Sequence, residues 1–334
     1  MAYYKIGVAV RLSVLNKNLC LLISARTALI IATCMLNPLL AEACSSCGCT
    51  LSSDWQDLGI STSAGVHIDL RYDFLDQAQL RKGTGTANRS DYTLPSDREI
   101  EQRTINRYTT ATLDYAPNRN WGVNVQVPYI VRSHTTIAEG DTELSSSQAS
   151  GIGDIRVLGR YQGFPVGIQV GLKLPTGNYD HSFNGGPQAG LALDRGLQPG
   201  TGSTDLLLGI YKFDALSQDL DYFAQALVQT PLQTKNQYRP GSSLNLNLGL
   251  RYLAFGAAQP QLQLNGRVVG RDHGAEADTQ NSGGRIVYLS PGITVVVSKQ
   301  TKLYGFIQLP IYQEVGGLQL APRWTASMGL NFAF

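Results

Sequence analysis

The composition of this 334-residue chain excludes several classes of protein. A net charge of +2 leaves no basic surplus of the kind that favours nucleic-acid binding. Charged residues make up only 16% of the chain, below the rough quarter usual in soluble proteins, and 35 residues are glycine. A mean hydropathy of -0.10 excludes a bundle of membrane-spanning helices but allows a membrane barrel, because the strands of a barrel are only half apolar.

The first 43 residues have the features of a secretory signal peptide. Four basic residues precede an apolar run at 28–36, and the tripeptide Ala41-Glu42-Ala43 fits the small-x-small cleavage rule. A membrane anchor is the alternative, but this run is much shorter than the roughly 20 residues that a spanning helix needs. We therefore predict that residues 1–43 are a signal peptide and that the remainder is exported.

Cleavage would leave Cys44, Cys47 and Cys49 in a short cysteine-rich periplasmic segment, residues 44–63. Thiolates suit Cu(I) or Zn, and three of them within six residues can converge on one ion. A Cys44–Cys47 disulfide and lipidation of Cys44 are the alternatives. Gly48 stands where a haem attachment motif needs histidine, which excludes that use. The segment could also meet a periplasmic partner. No other cofactor is predicted.

Residues 64–334 repeat one type of segment, a strand with one apolar and one polar face. Even-numbered residues from Val66 to Phe74 are apolar, and the odd-numbered residues between them are polar or charged. The last segment, Pro322 to Phe334, alternates in the same way and ends the chain on an aromatic residue. Such segments are long enough for the roughly 9–11 residues of a tilted membrane crossing.

Twelve such strands are predicted, joined alternately by short turns and long polar loops. An even strand number with short periplasmic turns and long external loops is typical of bacterial outer-membrane barrels, and closure leaves no backbone group unpaired in lipid. We predict an all-β fold, a closed antiparallel transmembrane β-barrel of about 12 strands spanning residues 64–334. A soluble all-β protein is the alternative. The predicted strands begin near 66, 101, 121, 151, 166, 203, 219, 244, 261, 285, 302 and 322.

Charged residues on the polar faces are expected to point into the lumen, because an Arg or Lys facing lipid at the midplane costs about 2–4 kcal/mol. They could line a solute path and set its charge preference, or pair with one another and close a narrow lumen; the sequence leaves both open. Arg107 is an exception, since it shares the parity of Ala111 and Leu113, and a bulge or an interfacial position is expected there. The predicted lumen-lining residues are Asp69, Arg71, Asp73, Arg132, Asp154, Arg156, Arg160, Arg251, Arg267 and Arg323.

An enzyme is not predicted, although a membrane hydrolase was considered. Such a site needs a serine, a histidine and a carboxylate or amide that converge. Ser133 and His134 are adjacent, but neighbours in a strand point to opposite faces. The other histidines, His67, His181 and His273, are scattered.

Three glycine-rich motifs carry a resemblance to a known family. They are Gly151–Tyr161, Gly171–Gly177 and Gly200–Gly209, with Val127-Pro128-Tyr129 upstream. Together they resemble the outer-membrane β-barrel "transporter" family related to the phenol-degradation (meta-pathway) barrel proteins of Gram-negative bacteria. The resemblance covers most of the exported chain. It implies a barrel that lets small, often apolar or aromatic, compounds through, and it carries no catalytic residues.

The predicted function is an outer-membrane channel or transporter for small solutes. The alternative is a metal-handling or structural barrel whose cysteine-rich N-terminus binds Cu, Zn or a periplasmic partner. The terminal Phe334 resembles the C-terminal signal that the outer-membrane assembly machinery recognises. The expected partners are thus the lipid bilayer, that machinery and a small-molecule solute, with no nucleic acid.

Overall fold

A computed structural model describes residues 64–163 and 165–334, which form an all-β structure. In this part of the chain, no helix is both long and apolar enough to cross a membrane. Two short 3-10 helices, Arg89–Asp91 and Arg195–Leu197, lie in loops. The strands are β1 Gly65–Gly83, β2 Gly85–Thr86, β3 Ile100–Ala116, β4 Trp121–Ile137, β5 Ser145–Ile152, β6 Arg156–Gln162, β7 Gly167–Lys173, β8 Asp205–Ser217, β9 Leu220–Pro231, β10 Ser243–Tyr252, β11 Ala258–Val269, β12 Gly284–Val296 and β13 Thr301–Ala333.

The strands close into one antiparallel barrel. Along the ring the order follows the chain, and β13 pairs with both β12 and β1, which joins the last strand to the first. Eleven strands make this ring. β2 forms a small hairpin with the end of β1, and β5 pairs with the end of β4 that lies beyond its contact with β6. The predicted closed barrel is confirmed.

The long strand β13 folds back on itself and supplies two walls of the barrel. Lys302–Val315 pairs with β12, whereas Val315–Ala333 pairs with β1. The Thr325 hydroxyl donates a hydrogen bond to the Gln308 side chain at 2.7 Å, a contact that only a hairpin allows. The turn contains Gly317 at φ +62°, a conformation that favours glycine. Counted as two arms, the ring has twelve strands, but the loop expected after residue 312 is a tight turn.

The two faces of the wall have opposite polarity, inverted from that of a soluble protein. On β1, Ile68 and Leu70 are 44% and 50% exposed, whereas Asp69 between them is 2% exposed. The exposed apolar face continues around the ring, where it fits a lipid-facing band. The backbone amide of Phe334 donates to the Val66 carbonyl at 2.8 Å and fixes the seam at the periplasmic rim. An assembly role for Phe334 stays a prediction.

Aromatic rings line the periplasmic half of the lumen. The rings of Tyr211 and Phe223 cover Gly167 and Gly249 of neighbouring strands, where a Cβ atom would collide with them. Phe306 and Tyr304 cover Gly292 and Gly329 in the same way. All four rings are buried, so large side chains on one strand fill the space left by glycines on the next. These rings therefore narrow the lumen at this level.

Several strands project further than the sequence predicts. β1 continues to Gly83, where a loop was expected from residue 76, and β4 continues to Ile137. Beyond Gln77 the added length of β1 pairs with β13, and that of β4 pairs with β3 as far as Ile137, so the wall extends beyond the apolar band on the external side. The predicted signal peptide, residues 1–43, and the cysteine-rich segment, residues 44–63, lie outside the described residues.

Candidate functional site

A cavity of about 230 Å³ lies in the external half of the lumen. It is enclosed by the barrel wall and by the connection between β7 and β8, residues 174–204, which we call the inner loop. Six basic and three acidic side chains reach the cavity, an excess of positive charge. Apolar groups, among them Tyr108, Ile130, Leu227 and Val269, cover other parts of its surface.

Most of the predicted lumen residues lie in the interior. Five of them contribute to the cavity surface, and Asp69, Asp73 and Arg160 are buried in the barrel. Arg251 is half-buried and donates to Asp221 at 2.6 Å near the periplasmic turn. The five at the cavity are Arg71, Arg132, Asp154, Arg156 and Arg267.

Arg323 is the one predicted lumen residue that the structure contradicts. In the pairing of β1 with β13, Leu75 faces Thr325 but Gln77 faces Pro322, so two residues of β13 oppose the single Asp76. This bulge shifts the alternation by one residue. Arg323 is consequently exposed beside the exposed Trp324, while Pro322 takes the buried position.

Charged interior residues are paired across short distances. The Arg71 guanidinium donates to Asp73 at 2.7 Å, and Arg160 donates to Asp114 at 2.9 Å. A neutral network runs across the opposite wall through 2.6–3.0 Å hydrogen bonds that join β7 to β9 and then β9, β10, β11 and β12 in turn. Its members are Gln169, Gln225, Asn247, Asn265 and Ser290. Because each group has a partner, polar side chains can fill the lumen without a large desolvation cost.

Asp154 holds the two ends of the inner loop together. One carboxylate oxygen accepts from the Gly177 amide at 3.0 Å. The other accepts from the Thr201 amide at 3.0 Å and from the Thr201 hydroxyl at 2.6 Å. The Lys173 ammonium donates to the same oxygen at 3.0 Å and lies 3.1 Å from Asp205. Bonds from charged groups are stronger than neutral ones, and this carboxylate has several.

The contacts of Asp154 at the base of the inner loop explain the three glycine-rich motifs. Asp154 belongs to the first motif, Gly177 to the second and Thr201 to the third. The backbones of Gly177 and Gly200 meet so closely that a Cβ on either residue would collide with the other backbone. The motifs therefore fix the base of the inner loop against the wall.

The middle of the inner loop is fixed by a second set of contacts. Arg132 of β4 donates to the carbonyl of Gly196 at 3.0 Å, across the cavity. The Arg195 guanidinium lies 4.1 Å from the ring centre of Tyr179 and 5.0 Å from that of Tyr238, within cation–π range. A small apolar cluster made of Ala149, Phe183, Leu193 and Leu197 packs the loop against β5.

An acidic recess lies between the inner loop and the outer loops. It is lined by six carboxylates and by Arg195. Enclosure by the surrounding loops, followed by the negative charge of Glu99, raises the pKa of Asp194 to about 7, although the side chain itself is exposed to solvent. The carboxylates are Glu99, Glu101, Asp194, Asp272, Glu276 and Asp278.

The histidines form no catalytic or metal centre in the part of the chain that the structure describes. His134 is buried with its Nδ1 2.8 Å from the Thr104 hydroxyl and its Nε2 3.7 Å from Glu99. Ser133 lies on the other face of β4, as alternation predicts. No group of His, Cys, Asp and Glu within 64–163 and 165–334 could hold a metal ion. Cys44, Cys47 and Cys49 lie outside these ranges.

The sequence interpretation missed the inner loop and the inward aromatic rings. The rings have a detectable signature, because Tyr211 shares the parity of Asp205 and Phe223 shares that of Gln225. No comparable signature marks the inner loop, since its long polar sequence fits an external loop equally well.

Comparisons with known proteins agree with this architecture. Among solved structures, the chain is similar to the COG4313 outer membrane channel from Pseudomonas putida F1, with 12% identity, a TM-score of 0.59, and 85% of this chain and 100% of that chain covered. The CymD monoaromatic hydrocarbon channel (11% identity, TM-score 0.43, 89% and 98% covered) and the toluene transporter TbuX of Ralstonia pickettii (11% identity, TM-score 0.40, 81% and 90% covered) are less similar in structure. No curated protein matches the sequence.

At these identities the structural likeness shows the fold alone. The fold and the exposed apolar band are those of an outer-membrane β-barrel. A family model extends the agreement to sequence, since it matches residues 89–317, more than half of the chain. The chain belongs to the family described as "Putative MetA-pathway of phenol degradation".

Proposed function

We propose that this barrel is a passive outer-membrane channel for small solutes, and that the cavity is the chamber through which they pass. The observation that carries this proposal is a cavity enclosed by membrane-spanning strands and lined by charged residues on their inward faces. The predicted lumen residues Arg71, Arg132, Asp154, Arg156 and Arg267 would form the solute path.

The lining favours solutes with an apolar ring and a polar or anionic group. Tyr108, Ile130, Leu227 and Val269 supply apolar surface, while basic side chains outnumber acidic ones. An apolar cavity of about 150 Å³ is large enough for benzene. At about 230 Å³, the present cavity has room for a substituted single ring.

The arrangement of polar side chains in the lumen also fits a channel better than an enzyme. Ser133 and His134 occupy opposite faces of one strand, and His134 is bonded to Thr104 inside the barrel. The charged groups of the lumen are paired, as in a wall. We infer that the protein moves solute without changing it.

A solute-entry assay with a cavity-filling variant tests this proposal. The exported protein is placed in liposomes, and swelling is followed with a monocyclic aromatic carboxylate and with a neutral sugar of similar mass. We expect faster entry of the aromatic compound. Ile130→Trp, which fills the cavity, should reduce entry about tenfold, since residence in a pore depends on space and lining.

Ile168→Trp is the matched control, because Ile168 lies on the lipid face and is 46% exposed. It should leave entry unchanged. Swelling no faster than that of protein-free liposomes, for every solute tested, would refute a channel.

A further inference from the structure

Outside the lumen, the external rim of the wall formed by β13, β1 and β3 carries an unusual group of side chains. Arg107 lies on the outward face of β3 directly opposite Phe74 of β1. The bulge of β13 places Arg323 and Trp324 on the other side of β1, opposite Asp76. The rings of Phe74 and Trp324 are in contact, with centres 5.7 Å apart. We call Arg107, Arg323, Phe74 and Trp324 the rim patch.

The rim patch lies at the external edge of the lipid-facing band. The apolar face of β1 runs from Val66 at the periplasmic rim to Phe74, and the next outward residue is Asp76. Eight residues of strand span about 27 Å, or roughly 20 Å of height at the usual tilt, close to the roughly 25 Å height of the apolar band. Arg107 and Arg323 are thus level with the headgroups of the outer leaflet.

These two arginines have no counter-charge within the described residues. Arg103, the third cation on this face, donates to Asp76 at 2.8 Å and neutralises the carboxylate of the group. Arg107 and Arg323 make no hydrogen bond or ion pair with other residues in 64–163 or 165–334. The group therefore keeps two positive charges, separated by two strand spacings and by about two residues along the strand, roughly 12 Å in all.

The opposite wall shows that this charge is confined to one side. There the outward faces of β8, β9 and β10 end externally at Thr204, Thr230 and Ser242, which are uncharged. A general need for polar residues at the interface would affect both walls equally. Arg285, on the outward face at the external end of β12, lies 3.9 Å from Glu314, so its charge is balanced. The excess of positive charge at the rim patch indicates an anionic occupant.

We propose that the rim patch binds the phosphate of a phosphorylated glycolipid of the outer leaflet. Arginine is suited to this because its planar guanidinium makes two parallel hydrogen bonds to phosphate oxygens. Phe74 and Trp324 offer an apolar and amphipathic surface to the sugar and upper acyl chains next to that phosphate. The site is independent of the channel proposed above, since it lies on the outer face of the wall.

Lipid binding to the purified, detergent-solubilised protein tests this site. Native mass spectrometry would compare diphosphorylated lipid A with the same lipid after dephosphorylation, at equal concentration. We expect a preference of about tenfold or more for the phosphorylated form, because each arginine near an anionic group adds a severalfold gain. Inorganic phosphate at the same concentration should not displace it, since the lipid anchor supplies part of the affinity.

Arg107→Gln combined with Arg323→Gln should remove most of this preference. Arg119→Gln is the matched control, since Arg119 is an exposed cation in the periplasmic turn between β3 and β4. Equal binding of the two lipids by the unaltered protein would overturn the proposal, whatever the variants do. Retention of the preference by the double variant, or displacement of the lipid by free phosphate, would overturn it as well.

Discussion

The external and periplasmic halves of the lumen are narrowed in different ways. In the external half, the inner loop is held by hydrogen bonds from charged side chains, chiefly those of Asp154 and Arg132. In the periplasmic half, aromatic rings that belong to the wall itself pack over glycines of adjacent strands. The inner loop contributes no strand to the ring, whereas the rings belong to the strands of the ring itself. The external constriction is therefore the one that a solute or a change in charge can displace.

Of the changes considered, removal of the Asp154 carboxylate should have the largest effect on conductance. Asp154→Ala leaves the amides of Gly177 and Thr201 without their acceptor and deprives the buried Lys173 of one of its two carboxylates. Breaking a buried charge pair costs about 3–5 kcal/mol. We expect the inner loop to detach and single-channel conductance in planar bilayers to rise severalfold.

Asp214→Ala is the control for that experiment, because Asp214 is an exposed aspartate of the same sheet near a periplasmic turn. It should conduct like the unaltered protein. Unchanged conductance in Asp154→Ala, with the barrel still folded, would show that the inner loop does not limit flow.

Truncating one of the packed rings should have a smaller effect on conductance but a clear effect on stability. Phe223 is 1% exposed and packs on Tyr211 and over Gly249. Phe223→Ala should lower the free energy of unfolding by about 3–5 kcal/mol and widen the periplasmic half. Heat-induced unfolding monitored by gel mobility would detect the lower stability.

Phe255→Ala removes an aromatic ring that is 67% exposed near a turn and is the matched control. It should unfold at a temperature close to that of the unaltered barrel. If both variants unfolded at the same temperature, the interior ring would not be stabilising the periplasmic half.

The smallest expected effect is a pH dependence at the acidic recess. The pKa of Asp194 in the seated loop is raised to about 7, whereas a released loop should have an ordinary value near 4. Between these values the seated form keeps a proton that the released form loses, so lowering the pH through 7 favours the seated form. Above pH 7 the ionised Asp194 carboxylate is repelled by the nearby acidic groups, chiefly Glu99, which disfavours the seated form.

We therefore expect conductance to be lower at pH 6 than at pH 8, by less than the change caused by Asp154→Ala. Asp194→Asn cannot ionise and should remove most of the difference. A pH dependence of equal size in Asp194→Asn would assign it to another group.

The sequence was sufficient to predict the barrel but not its interior. Alternation in segments such as 66–74 predicted the strands and the outward apolar face, and the positions of Asp69 and Ile68 agree with it. Arg323 shows where that reasoning fails, because a one-residue bulge between Thr325 and Pro322 interrupts the alternation locally and leaves no mark in composition. Arg107, which broke the alternation, is half-buried on the outward face at the interfacial level.

The glycine-rich motifs show the same division. Their sequence was enough to suggest a family, and the match over residues 89–317 confirms it. Their structural role depends on the contacts of Asp154 with Gly177 and Thr201, which only the tertiary structure shows, because up to 47 residues separate them along the chain.

What the sequence determined by itself is the direction of side chains along each strand, because successive residues of an extended chain point to opposite sides by covalent geometry. That local rule is enough to predict a wall with an apolar outer face and a polar inner face. Only the tertiary structure decided which polar groups pair across the lumen, that residues 174–204 turn inward, and where a bulge interrupts the alternation. Those features depend on distances between residues far apart in the chain, and such distances are set when the ring closes.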